Sequence, residues 1–105
     1  MKITADVWPG LQVIVAKDNF HGLLLTGDAL YILPDGTQKY IQNGQRHRDD
    51  GPANIYPNGK QEYYKNGKLH RDDGPAYIEP DGTLQYYKNG KRHRDDGPAV
   101  IFPGG

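Results

Sequence analysis

Three identical copies of one heptapeptide contain most of the side chains that could do chemistry. His-Arg-Asp-Asp-Gly-Pro-Ala begins at His47, His70 and His93, at intervals of 23 residues. A histidine beside carboxylates can exchange protons, an arginine can bind a phosphate group, and His with Asp can hold a metal ion. The motif therefore has residue types suited to catalysis, anion binding or metal binding.

The equality of the three copies argues against two of these chemistries. An active site is usually one asymmetric constellation in a cleft, whereas here every copy offers the same set. The chain has no Ser and no Cys, so the commonest nucleophiles are missing. The arginine beside each histidine opposes the binding of a cation. We therefore expect a protein that is not an enzyme, with no catalytic residue, metal ligand or cofactor.

Two compatible interpretations of the heptapeptide remain. In the first it builds the loop between hairpins: Gly51, Gly74 and Gly97 adopt positive φ, Pro fixes the entry into the next strand, and Asp accepts backbone N–H groups. Arg and Asp of neighbouring copies are predicted to pair along a ladder. In the second it is a recognition surface. Two strands per repeat place equivalent residues about 10 Å apart, so the His and Arg side chains form a row with exposed Tyr nearby.

Short strands and tight turns are predicted to position these loops. The 14 Gly and 8 Pro are too many for a helical protein. Pro-Asp-Gly-Thr at 80–83 favours a turn, and Asn-Gly at 66–67 and 89–90 favours a hairpin. We expect two strands of four to six residues per repeat. The predicted fold is all-β, an antiparallel meander.

Side chains two residues apart in a strand share a face of the sheet. Ala76 and Ile78 are predicted to point inward, with Tyr77 and Glu79 outward. The equivalent inward pairs are Ala53/Ile55 and Ala99/Ile101. Each of the last two repeats also has two adjacent Tyr that must face opposite sides, so at least one Tyr per repeat is expected to be exposed.

The repeats and an N-terminal cap are predicted to form a single compact domain. The repeats occupy 24–105, beginning with a degenerate copy in which Leu24 replaces the histidine. Residues 1–23 match the repeat poorly and include the apolar stretch 13–15. An irregular apolar end on a repeat array is typical of a cap, so we interpret 1–23 as an N-terminal β cap.

The charge balance limits the classes of partner. Thirteen basic and thirteen acidic side chains cancel, whereas proteins that bind nucleic acid through general electrostatics are usually basic. Nucleic acid is therefore a possible partner that is not favoured. No apolar run approaches membrane-spanning length, and the N-terminus lacks a charged region followed by an apolar stretch. We expect a cytoplasmic protein without a membrane partner.

The sequence Tyr-Tyr-Lys-Asn-Gly-Lys-Arg-His at 86–93, with Pro-Asp-Gly at 80–82, resembles the MORN repeat. MORN units also span 23 residues, with an N-G-K-x-H core and a P-D-G turn. A typical unit continues with Gly-x-Gly, whereas this chain continues with Arg-Asp-Asp-Gly-Pro-Ala. It is therefore similar to variant repeats with an H-R-x-D-G-P-A core, found mainly in bacterial, phage and giant-virus proteins. The resemblance covers about 24–105 and implies a MORN-like fold rather than an activity.

The resemblance implies a non-catalytic protein-binding module. By extension it implies a phage-encoded inhibitor of a host defence complex, anti-CRISPR-like, which blocks its partner sterically in the host cytoplasm. The alternatives are a nucleic-acid or nucleotide binder that uses the His/Arg row, and a divergent hydrolase. The candidate partner-binding residues are Tyr56, Tyr63, Tyr64, Arg71, Tyr77, Glu79, Tyr86, Tyr87, Arg92, Arg94 and Phe102.

Binding information is expected where the copies differ, and at an open edge. The differing positions are 54/77/100, 56/79/102 and 46/69/92. The last strand, from Ala99 to Phe102, is not followed by a capping segment. An unpaired strand edge invites pairing with another chain, so we predict a homodimer or an added partner strand there.

Overall fold

A computed structural model describes residues 11–16 and 27–104 as strands and turns without a helix, which confirms the all-β prediction. Within these residues no helix is long and apolar enough to cross a membrane. The strands are β1 Gln12–Val15, β2 Ala29–Ile32, β3 Gln38–Gln42, β4 Gln45–Arg46, β5 Asn54–Ile55, β6 Gln61–Glu62, β7 Tyr64–Lys65, β8 Lys68–Leu69, β9 Tyr77–Ile78, β10 Leu84–Gln85, β11 Tyr87–Lys88, β12 Lys91–Arg92 and β13 Val100–Ile101.

One large sheet and two small hairpins make up the architecture. The large sheet has the order β1-β2-β3-β5-β6-β9-β10-β13, with β4 paired to β3. All its pairs are antiparallel except β1 with β2. The hairpins β7–β8 and β11–β12 lie outside this sheet. Strand β13 pairs with β10 and forms one edge of the sheet.

The prediction of two strands of four to six residues per repeat holds for β2 and β3 of the first copy, which have four and five residues, but is wrong for the full repeats. Each full repeat has four strands of two residues, as in β5 to β8 and β9 to β12. The chain leaves the large sheet at Tyr63 and again at Tyr86, so only the second Tyr of each adjacent pair lies in a strand of a small hairpin. The heptapeptide loop also occupies nearly a third of each repeat, which shortens the strands.

The predicted turns are confirmed. Asn66 and Asn89 have φ of 51° and 52°, and the glycine after each also has positive φ, as a two-residue hairpin turn requires. At 80–83, Gly82 has φ of 97° and its N–H donates to Glu79 O at 3.0 Å. The Thr83 N–H donates to Asp81 Oδ1 at 2.9 Å. This backbone hydrogen bond, with one from the Thr83 side chain, lowers the pKa of Asp81 below its ordinary range.

The predicted inward face is only partly buried. Ala53 and Ala76 are fully buried, but the isoleucines two residues further along each strand are half-buried. The core is concentrated at the beginning of the array, where Leu30 and Tyr40 pack with Ala53. Asn54, on the face predicted to point outward, is 1% exposed. Its burial depends on polar contacts described below.

Little of the predicted N-terminal cap lies in the described part of the chain. Residues 11–16 include β1, which runs parallel to β2, with Val15 71% exposed. The rest of 1–23 and the predicted boundary at 23/24 lie outside the described residues.

Candidate functional site

Successive heptapeptide loops, at 47–53, 70–76 and 93–99, lie beside one another and line shared clefts, and we call the surface that they form the loop edge. In each loop the arginine folds back onto its own loop. Arg71 Nε donates to Asp73 Oδ1 at 3.2 Å, and Arg71 Nη1 donates to Pro75 O at 3.1 Å. The guanidinium also lies 4.0 Å from the centre of the Tyr63 ring. The same three contacts recur at Arg48 and Arg94, so each arginine is fixed by its loop. The predicted ladder of Arg–Asp pairs between neighbouring copies is therefore wrong, because each arginine pairs with an aspartate of its own copy.

The prediction that Gly51, Gly74 and Gly97 adopt positive φ is wrong. Their φ values lie outside the left-handed region, although eight other glycines of the described residues are within it. Glycine is needed for a different reason: a Cβ at these positions would lie 3.0, 2.9 and 3.0 Å from the Cζ of the loop's arginine. The proline that follows also favours extended backbone at the glycine.

The histidines connect each loop to the hairpin of the next repeat. His47 Nδ1 accepts the Asn66 N–H at 3.0 Å, and His47 Nε2 is 3.0 Å from Asp49 Oδ1. Because Nδ1 is an acceptor, the imidazole is the neutral tautomer that donates from Nε2. Both contacts recur at His70. The side chains of His47 and His70 are only 10% and 13% exposed, so these two histidines do not form an open row.

The charged groups of the loop edge lie at two depths, with the arginines more buried than the aspartates. The three loop arginine side chains are 18–26% exposed. By contrast, the carboxylates are the outermost groups, with side-chain exposures of 62–88%. These carboxylates belong to Asp49, Asp50, Asp72, Asp73, Asp95 and Asp96. A ligand approaching this edge therefore meets negative charge first.

Two equivalent clefts lie between successive loops. The first, of about 390 Å³, is lined by Arg48 and Arg71 with Tyr63 and Lys65. The second, of about 430 Å³, repeats the arrangement one unit further on, with Arg71 and Arg94 among its lining residues. Four Asp and one His line each cleft as well. The two clefts therefore present the same mixture of charges, with acidic side chains at the rim. They lie about 10 Å apart, because two strands separate equivalent positions of successive repeats.

Four of the predicted partner-binding residues line these clefts, and the others are distributed elsewhere. Tyr63, Arg71, Tyr86 and Arg94 contribute to the clefts, although the two rings are covered by arginine and half-buried. The predicted row of exposed Tyr is therefore wrong for the described residues, where every Tyr is buried or half-buried. A Lys or Arg side chain lies over six of these rings. The remaining half-buried candidates are Tyr56, Tyr64, Tyr77, Glu79 and Tyr87, and the exposed ones are Arg92 and Phe102.

A second group of polar side chains, which we call the polar cluster, was not predicted as a site. It consists of Lys39, Arg46, Asn54, Tyr56 and Glu62. Glu62 Oε1 accepts Asn54 Nδ2 and Tyr56 OH, both at 2.9 Å, and Glu62 is 8% exposed. Burial, followed by repulsion from Arg46, lowers the pKa of Lys39. The sequence signal was present but incomplete: positions 46, 54 and 56 differ between copies, and Glu62 stands where the next repeat has a Gln.

The polar cluster predicts a loss of stability at high pH. Burial, and then the hydrogen bond to Glu62, raises the pKa of Tyr56 well above its ordinary value of 10.0. The protonated phenol is therefore favoured by folding, and this stabilisation is lost as the pH rises beyond 10 towards the folded-state pKa. We expect the free energy of unfolding to decline above pH 10 more steeply in the wild type than in Tyr56→Phe. Equal declines in urea titrations at pH 8 to 11.5 would contradict this prediction.

The described residues hold no group of three or more His, Asp or Glu side chains placed to bind one metal ion. The loop edge is a surface of hydrogen-bonded side chains whose outermost groups are carboxylates. No family model, curated protein or solved structure matches this chain. The similarity to MORN repeats accordingly stays a prediction from the sequence.

Proposed function

We propose that the chain is a non-catalytic protein-binding module whose loop edge takes a partner surface rich in Lys and Arg. The observation that carries this proposal is the outward position of six aspartates above three arginines fixed in the loops. Cationic groups of a partner would enter the clefts between carboxylates. When the module covers the basic surface of its partner, other ligands cannot bind there. This is the steric mode of inhibition that the resemblance implies.

The fixed geometry of the loops supports specific binding. Each arginine is held by two hydrogen bonds and a ring, so the aspartate that it binds is also oriented. Such preorganisation lowers the entropy lost on association. Two clefts at a regular spacing also favour a partner with basic side chains about 10 Å apart.

The nucleic-acid alternative receives less support. A phosphate backbone would approach the outer carboxylates before it reached the guanidinium groups. Most affinity for nucleic acid comes from Lys and Arg contacts with phosphate, and these arginines are already engaged. A protein surface is therefore the better match for the loop edge.

A comparison of two double variants tests the proposal. Asp72→Asn/Asp73→Asn removes the two carboxylates that line both clefts but keeps oxygens that accept the His70 and Arg71 bonds. Asp35→Asn/Asp81→Asn removes the same charge in turns away from the loop edge. The probes are a polyproline II peptide with lysine at every third residue, whose side chains lie on one face about 9 Å apart, and a DNA duplex.

We expect the first double variant to weaken peptide binding about tenfold at low salt, and the second to leave it within about twofold. Fluorescence anisotropy at several salt concentrations would measure both. Equal weakening by the two variants would reduce the interaction to net charge and overturn the proposal. Tight DNA binding that depends on the loop arginines would also overturn it, in favour of the nucleic-acid alternative.

A further inference from the structure

Each loop docks the next repeat through the same four hydrogen bonds. The first interface has Arg48 N–Tyr64 O, Gly67 N–Arg46 O, Asn66 N–His47 Nδ1 and Ala53 N–Glu62 O, at 3.2, 2.9, 3.0 and 2.8 Å. The second has Arg71 N–Tyr87 O, Gly90 N–Leu69 O, Asn89 N–His70 Nδ1 and Ala76 N–Gln85 O, at 3.2, 2.8, 3.0 and 2.9 Å. In both, the incoming segment consists of a strand followed by an Asn-Gly hairpin turn.

The third loop presents the same docking groups, which no segment of residues 27–104 occupies, and we call this surface the terminal face. Arg94 N–H, Ala99 N–H and His93 Nδ1 have no hydrogen-bond partner among residues 27–104. The fourth equivalent group is the carbonyl of Arg92. The side chain of His93 is 47% exposed, against 10% and 13% for the two histidines whose interfaces are filled. Phe102, beside β13, is 66% exposed.

We propose that the terminal face binds a partner segment made of a strand and an Asn-Gly hairpin turn, as a further repeat would. The two internal interfaces specify this occupant, because they show the same groups already filled. The strand would pair antiparallel with β13, as β6 pairs with β5 and β10 with β9. Main-chain pairing of this kind supplies affinity, and the turn N–H aimed at His93 supplies selectivity.

A second copy of the chain is not a suitable occupant in its folded form. The Asn-Gly turns at 66–67 and 89–90 already donate to the preceding loops. The turn at 43–44 is also engaged, because Asn43 N–H donates to Asp28 Oδ1 at 2.9 Å and Gly44 N–H donates to Gly27 O at 3.0 Å. In the described residues, the three Asn-Gly turns in which both residues have positive φ are thus occupied. The partner must therefore supply its own Asn-Gly turn.

A short peptide in trans provides a direct test with the whole chain. The probe is the sequence of residues 83–93, and its control carries Ala-Ala in place of Asn-Gly, which keeps the charge but disfavours positive φ. We expect the probe to shift the amide resonances of Arg94 and Ala99 in the labelled chain. The control peptide should bind at least about tenfold more weakly. Equal binding of the two peptides would overturn the proposal, since it would reflect charge alone.

Variants of the chain separate the terminal face from the loop edge. Ala99→Pro removes the outward N–H but spares the Ala99 carbonyl, which accepts the Tyr86 N–H at 2.7 Å. His93→Leu removes the acceptor independently. Since each deletes one hydrogen bond, each should weaken peptide binding about three- to tenfold, whereas the matched loop variant Asp96→Asn should leave it within about twofold.

Two results would contradict this assignment. One is an equal effect of Asp96→Asn, which would place the peptide on the loop edge and leave the proposed function untouched. The other is a dimer in solution that protects the Ala99 amide from exchange without peptide, since a second copy would then occupy the face. Sedimentation and hydrogen exchange of the wild type would detect it.

Discussion

Replacing Glu62 with leucine is expected to lower the free energy of unfolding by about 2–4 kcal/mol. The substitution removes the acceptor for Asn54 Nδ2 and Tyr56 OH. Asn54 is 1% exposed, and its Oδ1 has no hydrogen-bond partner in the described structure, so its whole amide would be buried and unpaired. Urea denaturation would measure the change as a lower midpoint at constant slope.

The next repeat supplies a matched control for this substitution. Gln85 is the equivalent of Glu62, but its cross-strand neighbours are Tyr77 and Val100, and it accepts a hydrogen bond from the half-buried Tyr87 OH. Gln85→Leu leaves no buried amide unpaired, so we expect a loss below about 1 kcal/mol. Equal losses at 62 and 85 would show that the polar cluster contributes nothing specific.

A compensating substitution tests the same explanation from the other direction. Adding Asn54→Val, the residue that the last repeat has at this position, to Glu62→Leu removes both partners of the buried hydrogen bond. Replacing both partners by apolar groups is often nearly neutral, so most of the lost stability should return. A double variant no more stable than Glu62→Leu would indicate that the cost lies in the loss of negative charge near Lys39 and Arg46.

Gly74→Ala is expected to lower the free energy of unfolding by about 1–2 kcal/mol, the second largest effect. The new Cβ would lie 2.9 Å from Arg71 Cζ. Because the guanidinium ends a flexible side chain, it would move away and lose its contacts with Pro75 O and the Tyr63 ring. The backbone is not expected to change.

A double-mutant cycle with Arg71→Ala identifies this cause. Once the arginine is absent, Gly74→Ala should cost at most a few tenths of a kcal/mol, because nothing remains for the Cβ to displace. If the two substitutions instead add, the glycine is required by the backbone itself. Denaturant unfolding of the four proteins would provide the coupling energy.

The sequence predicted the features that depend on a few adjacent residues. Asn66 and Asn89 adopt positive φ because an asparagine followed by glycine suits the two-residue hairpin turn. The same local reasoning failed at Gly74, whose requirement comes from Arg71 folding back over it rather than from its own dihedral angles. Turn propensities do not indicate a contact between a side chain and a backbone position three residues away.

The candidate site was only partly predictable, because depth cannot be inferred from composition. The heptapeptide was recognised as important, but its equal numbers of acidic and basic residues give no indication that Arg71 is turned inward and Asp73 outward. The polar cluster depends on the register of β3, β5 and β6, which places Lys39, Asn54 and Glu62 side by side. That register is a long-range property of the sheet.

The histidine link between adjacent repeats has a consequence for how this architecture varies. His47 and His70 each reach only into the following unit, so the stability of the array is approximately a sum of nearest-neighbour terms. Insertion or deletion of one 23-residue unit leaves the remaining interfaces intact and changes the number of clefts by one. For the basic partner proposed above, repeat number would then set the valency of the loop edge, and avidity would change in whole steps with each unit gained or lost.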